Sequence, residues 1–388
     1  MKVLMLFVDM LRPNRFESYN SDIQPNSIDH LLNDLGGTLY TNCFSPGPDT
    51  PRSMACFYTG MLPMDNGCDT RVKWPGKFIN KDRPNIFEPF IENDYALNFF
   101  SNPNEREGGL FPPGIENIGV HNQNYDLKGY LNNINLADNH LVFLAIPDYH
   151  WALGDWGYTL KAEQIAIKET TKSLEIVFDE LDKDDFDHIF IFSDHGFKFS
   201  AEAEAEEEYS FINRDRSNIF MFARQKGDRA LAYKDKLCSI QDLKHTVDNL
   251  FGLESSFSLL GSNERTHVVI EDHLTMGAPS VNQNIDIWAV VTRDEMYVRT
   301  PEYGVLINNN GMPHLGVNPH FDYILKTESQ FARYLDEHEK VFEYNRLILA
   351  QTSYMNGGAR PTEGKIHSLL NKFEIAKDRL RFLYKKGC

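Results

Sequence analysis

Short apolar runs, each closed by polar residues, recur along the chain. "KVLMLFVD" at 2–9, "ALNFFSN" at 96–102, "HLVFLAIPD" at 140–148, "DHIFIFSDHG" at 187–196 and "SNIFMFAR" at 217–224 are nearly continuous in hydrophobicity. Continuous runs of this length predict parallel strands covered on both faces. Between them, "SIDHLLNDLG" (27–36) and "KAEQIAIKETTKSLEIVFDELDK" (161–183) carry apolar residues on one side and charge on the other, as amphipathic helices do. Strands alternating with helices predict an α/β fold, a doubly wound, mostly parallel sheet flanked by helices. In such sheets chemistry gathers outside the carboxyl ends of the strands, where Asp9, Asp148 and Asp194 all stand.

Beyond residue 258 the pattern changes. "THVVIED", "DIWAVVTRDEMYVRT" and "YGVLINNN" read as an antiparallel meander with "TRDE" as a hairpin turn, and helical stretches follow at 327–352 and 362–385. The expected division is a catalytic domain over 1–258 and a smaller α+β subdomain over 259–388. The acidic run "AEAEAEEEYSF" (201–211) reads as a solvated loop or helix face, with a lid over the strand ends as the alternative.

A chain of 388 residues can hold one large core and a smaller second unit. A net charge of −17 disfavours nucleic acid and anionic membrane as partners, but not a small anion held by a metal. The five cysteines lack metal-type spacing and read as reduced thiols. "MKVLMLFVDM" is too short and too lightly charged for a signal peptide, and no run approaches the roughly 18 apolar residues of a spanning helix. The expectation is a cytoplasmic protein without membrane insertion.

"FSDHG" carries the strongest chemical signal. A strand delivers Asp194 and His195 side by side, a carboxylate and an imidazole suited to zinc or manganese. The bland reading is a strand-end turn with a capping aspartate. Asp9 adds a lone carboxylate in an apolar run, costly to bury unless paired or metal-bound. "AIPDYHW" places Asp148 and His150 at another strand end, and Thr50 in "PGPDTPRSMACFYTG" stands at the start of a helical run. Propensity does not settle whether Thr50 caps that helix or is presented to a reaction.

Taken in order, these elements resemble the alkaline phosphatase superfamily, in particular its sulfatase-like branch. "SDHG" resembles the family's ligand pair, and Asp9 its first metal ligand. "TGMLP" followed by "NG" is similar to the stretch after the family nucleophile, which counting back puts at Thr50. "AIPDYHWAL" and "SIQDLKHTVDNLFGL" resemble two further segments of that branch. The resemblance implies metal ligation by Asp9, Thr50, Asp194 and His195. Asp148 and His150 are candidate ligands for a second ion, so the cofactor is one or two divalent ions, zinc or manganese. His314 in "GMPHLG" is a further candidate ligand, ahead of His320. The resemblance implies Thr50 as nucleophile, with His150 acting on substrate or leaving group; Arg52, two residues from Thr50, is a candidate for neutralising phosphate oxygens, and Lys73 a weaker one.

The departures redirect the chemistry. Sulfatases of this kind need a cysteine or serine at the nucleophile position for conversion to formylglycine, and here it is Thr50, with Cys43 misplaced upstream. Met10 follows Asp9 where a second aspartate is usual, and Met54 replaces an arginine, with Arg52 nearby. The expected function is therefore a metal-dependent hydrolase of phosphate mono- or diesters acting through a phosphothreonine. The alternative is a phosphotransferase that passes a phosphoryl or phospho-head group to a sugar hydroxyl. The expected partner is a small anionic phosphoester, carbohydrate-linked substrates included; a sulfatase or a silent binding protein fits less well.

Overall fold

A computed structural model describes residues 1–68, 82–101, 126–136, 138–197, 212, 214–275, 284–299, 304–308, 313–329 and 331. The chain divides into two units, 1–293 and 294–388. The break falls after the antiparallel pair β8–β9 defined below, which lies with the first unit.

The elements of the first unit run β1 (Lys2–Val8), α1 (Ser27–Leu35), β2 (Gly37–Phe44), α2 (Thr50–Thr59), α3 (Pro63–Asn66), α4 (Glu88–Glu92), β3 (Ala96–Phe100) and α5 (Leu127–Leu131). Then follow β4 (His140–Ile146), α6 (Asp148–Trp156), α7 (Leu160–Glu180), β5 (His188–Phe192), α8 (Arg214–Ser217), β6 (Met221–Gln225), β7 (Leu231–Ser239), α9 (Asp242–Leu250), β8 (Val268–Thr275) and β9 (Asn284–Val291). Seven strands form one sheet in the order β3-β4-β1-β5-β6-β2-β7. The pairs β3–β4, β4–β1, β1–β5 and β2–β7 are parallel.

All five apolar runs are strands, as their continuity predicts. One expectation needs correction: β6 runs antiparallel to both of its neighbours, β5 and β2. A continuous apolar run reports burial on both faces, not direction. Strands β2 and β7 escaped the sequence reading. Thr38, Thr41 and Asn42 interrupt β2, and the first half of β7 is largely exposed, so neither shows an unbroken apolar run.

Period-two alternation explains the layering. On β1, Val3, Met5 and Phe7 enter one hydrophobic cluster with Met54, Ala55 and Phe57 of α2 and Leu243 and Val247 of α9. Leu4, Leu6 and Val8 enter the other, with Leu32 of α1, Leu153 of α6 and Ala166 and Leu174 of α7. Helices cover both faces, giving the α/β sandwich that the sequence implies. The central position of β1 places three adjacent parallel strand ends together. Val8 pairs with Ile146 of β4, and Phe7 with Phe192 of β5. The residues that follow these strands are therefore neighbours in space.

The second unit contains an antiparallel meander, β10 (Glu295–Arg299), β11 (Gly304–Asn308) and β12 (Pro313–Leu315), followed by α10 (Pro319–Glu328). Buried Asp322 accepts from the Tyr297 hydroxyl at 2.8 Å and from Arg299 at 3.1 Å, tying α10 to β10. The expected helices at 327–352 and 362–385 fall largely outside the described residues, as do the acidic run 201–211 and Lys73. No helix among the described residues is long and apolar enough to cross a membrane.

Candidate metal centre and nucleophile

The ends of β1 and β5 contribute polar groups to a common point. Asp9 follows β1 directly, and its N–H donates to the Ile146 carbonyl at 3.1 Å, which extends the sheet by one residue. Asp194 lies two residues past β5, fully buried, and His195 is 9 % exposed. Ligand atoms of Asp9, Asp194 and His195 all lie within 4.8 Å of one another, the one such group of three among the described residues.

The backbone is shaped around this point. Met10, directly after Asp9, takes φ +63°, a left-handed conformation uncommon for residues other than glycine. The turn aims the Met10 N–H at Asp194 Oδ1, 2.9 Å away. Strain held next to a carboxylate cluster points toward function. Gly196 lets the chain turn away, because a Cβ there would lie 2.0 Å from the Asp215 carbonyl oxygen. His195 donates from Nδ1 to the Gly196 carbonyl at 2.8 Å, leaving Nε2 as the basic nitrogen facing the cluster.

Thr50 is the first residue of α2, but it is not the cap. Asp49 holds the cap position in extended conformation, and its Oδ1 accepts from the Arg52 N–H at 3.2 Å. The Thr50 hydroxyl instead sits 3.4 Å from Asp9 Oδ1 and 3.2 Å from His195 Nε2. Its position is braced from behind. Ser53, one turn on, donates to the Asp194 carbonyl at 2.6 Å, and Ser45 Oγ lies 2.6 Å from Ser53 Oγ.

Arg52 is buried, with its guanidinium shared between Asp49 and Asp272 of β8, the latter at 2.7 Å. Burial works against its charge, but the two carboxylates outweigh that and keep it protonated. Arg216 joins the same network through Asp272 at 3.5 Å and the Pro48 carbonyl at 2.7 Å. Arg52 thus braces the turn that presents Thr50, and its Nη1 is buried without a hydrogen-bond partner. Asp49, Asp272 and Arg216 were not singled out from sequence. Asp-Thr-Pro carries a legible signal, since a capping residue followed by an early proline marks a helix start.

His150 of α6 is half-buried and places Nδ1 2.8 Å from Asp9 Oδ2. Asp9 therefore lies between two groups, Thr50 on one oxygen and His150 on the other. Burial pushes the Asp9 carboxyl up, but the adjacent His150, with help from His195 and Thr50, brings it below the ordinary range. Asp194 goes the other way. Burial pushes it up, His195 counters in part, and the negative charge of Asp9 raises it further.

Asp148 starts α6, half-buried, outside the group of three. His314 lies on β12 of the second unit opposite Leu306, with its side chain outside the described residues. His320 is exposed on α10. Cys43 is buried on β2, in register with Cys238 of β7.

The donor set suits a divalent ion. Two buried carboxylates and an imidazole nitrogen converge, and Asp194 Oδ2 is buried without a hydrogen-bond partner, 3.5 Å from His195 Nε2. An orphaned carboxylate oxygen beside a second carboxylate is costly to leave unmatched, and a cation matches it.

No protein-family profile matches the chain, and no curated protein matches it in sequence. Solved structures match at the level of fold. A 2-O GAG sulfatase aligns over 92 % of this chain and 92 % of its own, with a TM-score of 0.62 and 14 % identity. The phosphonate monoester hydrolase of Silicibacter pomeroyi aligns over 87 % of this chain and 94 % of its own, with a TM-score of 0.56 and 12 % identity. The lipoteichoic acid synthase LtaP of Listeria monocytogenes aligns over 87 % and 91 %, with a TM-score of 0.57 and 15 % identity. At these identities the likeness is one of architecture: the chain has the α/β fold of sulfatases, phosphonate hydrolases and lipoteichoic acid synthases.

Proposed function

We propose that this chain is a metal-dependent phosphoesterase that uses Thr50 as nucleophile and hydrolyses phosphate mono- or diesters. One observation carries the reading. The Thr50 hydroxyl faces Asp9 and His195 beside the orphaned oxygen of Asp194, while Asp49 does the capping. Asp9, Asp194 and His195 would hold a divalent ion, zinc or manganese, with Thr50 beside it. Such an ion lowers the pKa of a nearby hydroxyl and neutralises charge on phosphate oxygens.

The chain's own groups account for the proton and ester chemistry. Asp9 Oδ1, 3.4 Å from the Thr50 hydroxyl, is the acceptor for its proton, because the Nε2 lone pair of His195 would be taken up by the ion. The freed oxygen attacks phosphorus, the phosphothreonine P–O bond forms, and the bond to the leaving alcohol breaks. His150 sits against Asp9 through Nδ1 and would protonate the leaving oxygen from Nε2. The same nitrogen then takes a proton from the water that cleaves the phosphothreonine. Arg52 enters through the turn it braces.

A sulfatase reading conflicts with threonine at this position, and Cys43 is sealed in the sheet. Transfer to a sugar hydroxyl shares the first half-reaction, and the fold shared with LtaP favours keeping it as the second reading. The test is turnover of aryl phosphate mono- and diesters against aryl sulfates in the presence of manganese or zinc. Phosphoester preference is expected; a clear sulfate preference overturns the proposal. Adding an acceptor sugar and analysing products separates hydrolysis from transfer.

A further inference from the structure

Glu163 stands outside the metal group but touches the segments that carry it. It lies in the first turn of α7 and is 2 % exposed. Its Oε1 accepts from Arg12 Nε at 3.2 Å, and its Oε2 forms an ion pair with Arg15, whose Nε lies 2.9 Å away. The Tyr149 hydroxyl donates to Oε1 at 2.8 Å. Arg12 reaches onward, donating from Nη1 to the Phe197 carbonyl at 2.7 Å.

The placement of these partners is what matters. Arg12 lies three residues after Asp9, Tyr149 is adjacent to His150, and Phe197 lies two residues after His195. A single buried carboxylate therefore joins the loop after β1, the start of α6 and the loop after β5. None of these contacts is needed to close the sheet, whose pairing ends at Val8, Ile146 and Phe192. A buried carboxylate between two guanidinium groups is also a costly way to fill space, since desolvation offsets much of the attraction. Its position in the first turn of a helix eases that cost.

We propose that Glu163 is a positioning residue, which sets the spacing of Asp9, His150 and His195 by holding their three chain segments at one carboxylate. The inference rests on the metal-centre reading above. Groups that orient metal ligands change affinity or activity by about 10- to 100-fold when lost.

The test titrates manganese alone into the metal-free full chain by calorimetry, alongside thermal melting without metal and steady-state kinetics on an aryl phosphate. Glu163→Gln keeps size but loses the charge that holds both arginines. It is expected to bind manganese about tenfold or more weakly, and to lose kcat with KM nearly unchanged. Tyr149→Phe removes one hydrogen bond and keeps the ring. It is expected to weaken manganese binding by a smaller factor, and it decides the matter if Glu163→Gln does not fold. Folded variants that bind manganese as tightly as wild type overturn the positioning role and leave the metal centre intact. A wild type that binds neither manganese nor zinc, or binds them unaltered by Asp194→Asn, overturns the metal-centre reading and this inference with it.

Discussion

Replacing Thr50 with alanine separates chemistry from local structure, because the structure bounds what its contacts can contribute. The hydroxyl lies 3.4 Å from Asp9 Oδ1 and 3.2 Å from His195 Nε2, and neither contact caps α2. Long hydrogen bonds of this kind contribute at most about 1 kcal/mol each to stability. Thr50→Ala is therefore expected to melt close to wild type, within about 2 kcal/mol. Asp49→Ala supplies the contrast. It loses the cap, about 1 kcal/mol, and leaves buried Arg52 short of a carboxylate, a change that typically costs about 3–5 kcal/mol. Loss of a nucleophile acts on another scale. Turnover should fall about 10⁴-fold or more, and at about 1.4 kcal/mol per tenfold this is at least about 5 kcal/mol of transition-state stabilisation. No local contact of Thr50 supplies that much. Thr50→Ser keeps the hydroxyl and should retain measurable activity, and Thr50→Asn should be as inactive as alanine. Steady-state kinetics with chemical denaturation measures both quantities, and rapid quenching with labelled substrate should trap phosphate on Thr50. Activity within tenfold of wild type in a folded Thr50→Ala protein would refute the nucleophile.

Asp194→Asn should leave the metal-free protein as stable as wild type or slightly more so, because it removes the repulsion with Asp9, while abolishing any rise in melting temperature on adding manganese. The pH dependence follows from the raised Asp194 carboxyl. Its proton stabilises the metal-free fold below the ordinary aspartate range, and that contribution is lost as pH rises through the folded-state pKa. The manganese-induced rise in melting temperature should accordingly grow from weakly acid to neutral pH, and a rise that shrinks over that interval contradicts the assignment. Gly196→Ala must move backbone, since the new Cβ meets the Asp215 carbonyl at 2.0 Å; a loss of about 2–3 kcal/mol in denaturant unfolding is expected, with metal affinity falling as His195 shifts.

The hydrophobic pattern by itself determined the α/β class, the five apolar strands and helices α1 and α7, because burial on two faces writes a continuous apolar run and burial on one face an amphipathic one. It also marked Asp9, Asp194 and His195 as candidates, since a carboxylate ending an apolar strand is costly and so conspicuous, whereas Thr50 was reached through the resemblance of the stretch that follows it. What it could not supply was strand direction or the order of neighbours. β6 reads like a parallel strand but runs antiparallel, because hydrophobicity is blind to chain polarity. Convergence was a tertiary decision as well. Asp9, Thr50, His150 and Asp194 are far apart in sequence, and only the central place of β1 between β4 and β5 puts three of their segments side by side. Whether Thr50 or Asp49 capped α2 depended on side-chain direction, which differs between two adjacent polar residues of similar propensity. Glu163 left no mark at all. It looks like any charged residue on an amphipathic helix, and only folding reveals that its face turns inward, onto two arginines and a tyrosine beside the candidate metal ligands.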